Sequence, residues 1–310
     1  MFIEKKTKIK ASKIAKFLKL KLNFKDFYLN GASSINNIKN NKLYFLTDVI
    51  NKKFSLIKEK TYNLKKLNGL MKVLVITDKK NSKKIHCPKL ISKNPRYDFQ
   101  KILNEFFVIK SKNLIHKSAI IKNKKNIGKN VNIGANSFLD KDVTIGKNSV
   151  ILNNVVITGK VSVGANCVIK SNSTIGSEGY GFSQNNKQYV HFPHIGGIEI
   201  GNRVWIGSNV SIEKGSLDNT VIKDDVLIDD LVQIGHNVIV GKRTQITAGC
   251  ILSGKSVIGS DCWLAPNASV DNDVMIGNFS IIGMGSVVRK NVKSKTVVVG
   301  NPAKKLKKLK

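Results

Sequence analysis

An aliphatic residue returns every six positions along more than half of the chain. The series runs Ile115, Ile121, Ile127, Ile133, Leu139, Ile145, Ile151, Ile157, Val163, Ile169 and Ile175, resumes at Ile200, Ile206 and Ile212, and continues unbroken from Ile222 to Val288, 26 positions in all. A period of six is neither the 3.6 of a helix nor the sustained alternation of a long strand. Many repeats put glycine, aspartate or another small or polar residue after the aliphatic one, as in Ile133-Gly134-Ala135-Asn136-Ser137-Phe138. A short strand that points its aliphatic side chain inward and then turns a tight corner satisfies both features. Three such faces per coil make a triangular prism, the hexapeptide parallel β-helix, and 26 hexads predict between eight and nine coils.

Each coil hydrogen-bonds to the next, so the ends of the prism expose strand edges that flanking segments must cover. Residues 1–108 read as a small α/β domain, 109–290 as the β-helix and 291–310 as a basic tail. Within the first, the patterning predicts a helix over Ile9–Leu20, strands at Leu43–Leu46 and Lys72–Thr77, and an amphipathic helix over Arg96–Phe107. The tail predicts a strand remnant, a turn at Gly300-Asn301-Pro302 and a short basic helix.

The period is interrupted twice. Between Ile175 and Ile200 an excursion carries Gly176-Ser177-Glu178-Gly179-Tyr180-Gly181-Phe182 and then Tyr189, His191, Phe192, Pro193 and His194; between Ile212 and Ile222 four residues are inserted near Leu217-Asp218-Asn219-Thr220. Solenoid function concentrates at such insertions. Glycines and amphipathic aromatics suit an adaptable substrate wall, which singles out Tyr180, Phe182 and His194 as substrate-contacting, against the alternative of an ordinary surface loop packed on the prism. His236 stands in the hexad Ile234-Gly235-His236-Asn237-Val238-Ile239, where other hexads mostly carry ordinary corner residues. A coil of three hexads sets it beside Gly254, with Asp229 and Asp230 shortly upstream. An imidazole with carboxylates near it suits general-base work; otherwise a corner histidine is a solvated polar residue.

Composition narrows the classes. With 310 residues, 41% hydrophobic and 24% charged, the chain can bury a sizeable core, which excludes wholesale disorder. No apolar run reaches the roughly 18–20 residues of a membrane span, and the start lacks the apolar stretch of a secretory signal; a soluble, cytoplasmic protein without a transmembrane segment is expected. Cys87, Cys167, Cys250 and Cys262 lie far apart, and His86, His116, His191, His194 and His236 show no three-ligand spacing, so neither disulfides nor a metal site is expected. The net charge of +33 is uneven: residues 1–130 hold 33 basic and 7 acidic residues, 131–288 hold 11 and 13, and 289–310 hold 9 and none. Only four of the 53 basic residues are arginine. Arginine is favoured where bases and phosphates are read bidentately, so nucleic acid is not the expected partner. Abundant Lys, Asn and Ile together read as the drift of an AT-biased genome, against the alternative of a landing surface for an acidic macromolecule or anionic lipid.

The run Ile228-Asp229-Asp230-Leu231-Val232-Gln233-Ile234-Gly235-His236-Asn237-Val238-Ile239-Val240-Gly241, preceded by Ile175 to Phe182 and by Phe192-Pro193-His194-Ile195-Gly196, resembles the UDP-3-O-(3-hydroxyacyl)glucosamine N-acyltransferases of lipid A biosynthesis. Gly31 to Ile35, Leu43 to Thr47, Val73 to Thr77 and Lys93 to Tyr97 resemble that family's uridine-binding domain in order and spacing. The resemblance implies a left-handed β-helix and a homotrimer with active sites between prisms. It implies His236 as the base that takes the proton of the glucosamine 2-amino group, supported by Asp229. Gln233 and Asn237 would position substrate, the Gly254 N–H would hold the thioester oxyanion, and Phe45 would stack on uracil. No cofactor is bound permanently; the acyl thioester comes from the phosphopantetheine of acyl carrier protein, and the acceptor is a UDP-amino-sugar. The ending Val299-Gly300-Asn301-Pro302-Ala303-Lys304-Lys305-Leu306 is similar instead to that of coenzyme-A-dependent hexapeptide acetyltransferases, which keeps open an acetyl-CoA-dependent N-acetyltransferase acting on a nucleotide-linked amino sugar. From a different class, a non-catalytic scaffold remains.

Overall fold

The protein is described by a computed structural model over residues 3–5, 7–35, 37–47, 64–109 and 114–309. The chain divides into two compact units, Met1–Ser111 and Lys112–Lys310.

The second unit is a parallel β-helix. Strands of two to five residues stack into three sheets, of nine strands from Ile120–Ile121 to Val287–Val288, seven from Val143–Ile145 to Met275–Ile276, and ten from Asn132–Ile133 to Lys304–Lys308. Partners in adjacent coils stand 18 residues apart, as in Phe138 with Val156 and Gln233 with Ile251. Every repeat aliphatic from Ile133 to Val288 is at most 3% exposed. Burying each such side chain stabilises by about 1.5–3 kcal/mol, so the six-residue register is held by the core itself. Ile115, 44% exposed, and the half-buried Ile121 and Ile127 escape because a coil covers them on one side only.

The corners explain the small residues. A Cβ on Gly146 would stand 2.5 Å from the carbonyl carbon of Gly164 in the next coil, a distance no side chain permits. The residue three past most of the aliphatics takes the left-handed conformation, with φ of 60° at Asn130, 58° at Asn136 and 60° at Asn148. Asparagine tolerates it better than most residues. Asn130 Nδ2 donates to Asn148 Oδ1 and Asn148 Nδ2 to Asn166 Oδ1, a ladder up one edge.

The tail departs from expectation. Thr296–Val299 adds to the ten-stranded sheet in parallel with Ile281–Ile282, and Lys304–Lys308 folds back on it antiparallel instead of forming a basic helix. The unpaired N–H and C=O groups of an edge strand outweigh the modest helix propensity of five residues, and four exposed lysines on the new edge discourage further strand addition.

The first unit contains a three-stranded parallel sheet, Leu43–Leu46, Leu74–Thr77 and Lys89–Ile91, whose central strand is buried throughout. Two hydrophobic clusters pack on it, one around Ile14, Leu74 and Phe99, the other around Tyr44, Leu67 and Ile85. The helix predicted over Ile9–Leu20 is shorter, Ala11–Phe17, because Ile9–Lys10 pairs with Tyr28–Leu29. The helix expected over Arg96–Phe107 is α-helical over Pro95–Ile102, capped by the Asn94 side chain with proline at its start, and then widens into a π-turn over Leu103–Phe107.

Candidate active site

The two interruptions of the repeat converge on one corner of the prism. The first folds out as a hairpin, Phe182–Asn185 against Gln188–His191, with left-handed Asn186 and Lys187 in the two-residue turn. The chain returns at Pro193 and Ile195, whose N–H donates to the Ser216 carbonyl of the second interruption. The corner they cover follows the strand Gln233–Ile234 and carries His236 and Asn237.

His236 is half-buried and held at three points. Its backbone N–H donates to Glu213 Oε2 at 3.1 Å, its Nδ1 lies 3.0 Å from Asn237 Oδ1, and its ring meets that of His194 edge-on with centroids 5.2 Å apart. The tautomer follows from Asn237. That side chain's oxygen accepts the Ser216 N–H at 3.0 Å and the Ser216 hydroxyl at 2.8 Å, while its nitrogen donates to the Asp218 carbonyl at 3.0 Å. Its orientation is thereby set, and the atom facing Nδ1 can only accept. The ring hydrogen therefore sits on Nδ1, and the basic lone pair of a neutral His236 is on Nε2. Among the described residues no group is hydrogen-bonded to Nε2.

Gly254 lies against that nitrogen: a Cβ there would stand 2.6 Å from Nε2. At several other corners the equivalent amide, two past the aliphatic, is capped by a side chain, as at Ala135 by Asn153, Ser208 by Asp230 and Ser260 by Asn278, though not at all of them. The Gly254 N–H has no acceptor among the described residues. A free backbone donor next to a basic nitrogen is what an acyl-transfer transition state requires, since one group takes a proton while the other meets the developing oxyanion.

The other expected residues are distributed unequally. Gln233 joins the corner, donating to Glu213 Oε1 at 3.3 Å. His194 is buried beneath the hairpin at 2% exposure, whereas Tyr180 is 87% and Phe182 49% exposed, their rings in contact at 5.1 Å. Asp229 does not support the imidazole. It follows a strand of the ten-stranded sheet whereas His236 follows one of the nine-stranded sheet, because six residues carry the chain across a whole face; Asp229 Oδ1 accepts the Asp230 N–H. Asn237 and Glu213 hold His236 instead. Asp230 is held below the ordinary carboxylate range by its hydrogen bond from Lys170. Phe45, in the first unit, is half-buried with its ring packed on Phe99 at 4.8 Å.

Glu213 and Ser216 escaped the sequence reading because the second interruption stretches the pitch: Ser211 pairs with Gln233, 22 residues on instead of 18. The expectation that no metal-ligand cluster exists also needs correction. The hairpin brings Glu178, His191 and His194 together, one ligand atom of each within 4.8 Å of the others. The Glu178 carboxyl lies below its usual value: desolvation raises it, and the hydrogen bond and charge of Lys214, with His191, outweigh that.

Fold and repeat define the class, a hexapeptide-repeat parallel β-helix. The family described as bacterial transferase hexapeptide (six repeats) matches residues 142–177, 219–254 and 255–290. Similar solved structures include a UDP-N-acetylglucosamine acyltransferase from Campylobacter jejuni, TM-score 0.56 and 22% identity over 63% of this chain and 75% of that one, and a UDP-N-acetylglucosamine O-acyltransferase from Moraxella catarrhalis, TM-score 0.57 and 24% identity over 63% and 74%; both support the fold. Among sequences, the chain is similar to UDP-3-O-acylglucosamine N-acyltransferases, 38% identical over 131 residues to that of Delftia acidovorans and 40% over 129 residues to one of Legionella pneumophila, each match covering 42% of this chain. A 46% match over 86 residues to that of Acinetobacter baumannii covers 28%. These matches span 39%, 38% and 24% of the relatives' own lengths. Among the described residues no helix is long and apolar enough to cross a membrane.

Proposed function

We propose that the chain is an N-acyltransferase that moves a 3-hydroxyacyl group from the phosphopantetheine thioester of acyl carrier protein to the 2-amino group of a UDP-3-O-acyl-glucosamine, a step of lipid A biosynthesis. The observation that carries the reading is the pairing of an Nδ1-protonated His236, its Nε2 open, with the uncapped Gly254 N–H. The names borne by similar sequences supply the substrate class.

The sugar amine attacks the thioester carbonyl, and the C–N bond forms as Nε2 of His236 accepts a proton from nitrogen. Negative charge on the carbonyl oxygen is met by the Gly254 N–H. Collapse breaks the C–S bond, and the imidazolium returns its proton to the leaving thiolate. A thioester is already activated, so alignment, one base and one oxyanion donor together supply several kcal/mol of barrier lowering. Glu213 anchors the backbone of His236, and Gln233, Tyr180 and Phe182 form the substrate wall. Phe45 stacks on uracil, and three prisms pack about a threefold axis in the cytoplasm so that each site lies between neighbours.

The tail supports a second reading. Residues 304–308 form a strand, not a helix on which a carrier protein could dock, and the motif ending at Leu306 is similar to that of coenzyme-A-dependent enzymes, which fits acetyl transfer from acetyl-CoA. Mass analysis of the product after offering UDP-glucosamine derivatives with both donors separates the two. A hydroxyacyl amide formed from acyl carrier protein supports the first, and exclusive use of acetyl-CoA the second. His236→Ala turnover close to wild type at saturating donor, or no thioester consumed at all, ends both.

A further inference from the structure

The hairpin carries a second cluster that acyl transfer does not use. His194 Nδ1–H donates to the Phe192 carbonyl at 2.8 Å, which leaves its Nε2 lone pair free. His191 Nε2 lies 3.3 Å from the Gly179 carbonyl, and its Nδ1 is paired with Glu178 Oε2 at 3.2 Å. The other oxygen of Glu178 is engaged by Lys214 at 3.4 Å. Each of the three residues thus has one atom held by an outer partner, and the three remaining atoms face one another, with a metal ion taking the place of the proton that His191 and Glu178 share. Outer partners that orient a ligand and choose its tautomer are what accompany histidine and carboxylate ligands in metal sites. The spacing agrees too. Two ligands at about 2.0–2.1 Å from a tetrahedral ion stand about 3.3 Å apart, and the Nδ1 to Oε2 distance is already 3.2 Å.

We propose that Glu178, His191 and His194 bind one divalent first-row transition ion, zinc being the type, through two imidazole nitrogens and one carboxylate oxygen. Nitrogen and oxygen donors without sulfur select such an ion over a soft one, and two imidazoles select it over magnesium or calcium. Lys214 keeps its hold on Oε1, so Glu178 binds through Oε2 alone. Glu178 comes from one end of the excursion and the histidines from the other, so the ion closes the loop at its base. His194, whose ring also touches His236, couples that closure to the catalytic corner.

The site stands apart from the acyl-transfer reading, and its test reads metal. Full-length protein stripped with a chelator is titrated with cobalt(II) and followed by visible absorption, and zinc is titrated in competition with a chromophoric chelator. One ion per chain is expected, with intense bands of tetrahedral cobalt, and the zinc affinity of His191→Ala and of Glu178→Gln should fall by at least about 10-fold. X-ray absorption of the zinc-loaded wild type, which needs no variant to fold, should show two imidazoles and no sulfur. Equal binding by wild type and both variants, no ion retained from equimolar zinc, or a shell with fewer than two imidazoles overturns the assignment.

Discussion

Replacing Gly254 with alanine separates chemistry from stability. The glycine lacks the left-handed φ that would penalise a side chain, so the backbone itself accepts alanine and the strain falls on the contact with the His236 ring. The new methyl would stand 2.6 Å from His236 Nε2, where ordinary contact is 3.4–4 Å. The ring is the movable partner, and it has to withdraw by about 1 Å. Misplacement of that size costs about 10²-fold in rate, or about 2.7 kcal/mol of transition-state stabilisation. The methyl also crowds the approach to the Gly254 N–H, which adds to the loss. Purified Gly254→Ala and wild type would be compared by thermal denaturation and by single-turnover release of thiol from the donor accepted in the product screen. The expected outcome is a folded variant with a modestly lowered Tm and at least a 100-fold lower rate. A rate within twofold of wild type in a normally folded variant would refute the placement of base and oxyanion donor at this corner.

Asn237→Ala removes the acceptor of Ser216 N–H, Ser216 hydroxyl and His236 Nδ1–H together, so it should cost about 1–3 kcal/mol in a urea melt and lower kcat, with Asn237→Asp recovering more of the rate because it keeps an acceptor there. Ile228→Ala empties a fully buried site in the middle of the prism and should lose about 2–5 kcal/mol by denaturant titration, while the protein that remains folded keeps its kcat. Burial pushes the thiols of Cys87 and Cys262 up to about 11, so at pH 8 both stay protonated; mass spectrometry should find them unmodified by iodoacetamide in native protein and alkylated once it unfolds.

The β-helix was legible because a six-residue period leaves one geometry in which all its aliphatics can be buried. His236 was legible for a related reason: a periodic background makes an odd residue conspicuous, and an 18-residue pitch points to Gly254 as its neighbour. The asparagines were read too simply. Composition alone attributed them to nucleotide bias, yet Asn130, Asn136, Asn148 and Asn166 occupy left-handed corners that asparagine adopts more readily than most residues. Asp229 failed as a support because closeness in sequence means little here; seven residues carry the chain past a whole face to a different corner.

The sequence by itself therefore determined the repeat, the inward-facing core, the two interruptions and the odd histidine proposed as the base, because each depends on spacing along one regular coil. Only the tertiary structure decided what surrounds that base. The interruptions break the regular pitch, and the contacts they make, Asn237 with Ser216, His236 with Glu213 and His194, and Glu178 with His191, join residues whose separation no period predicts. The tail was decided the same way, since whether five basic residues become helix or strand depended on an unpaired edge waiting at the end of the prism.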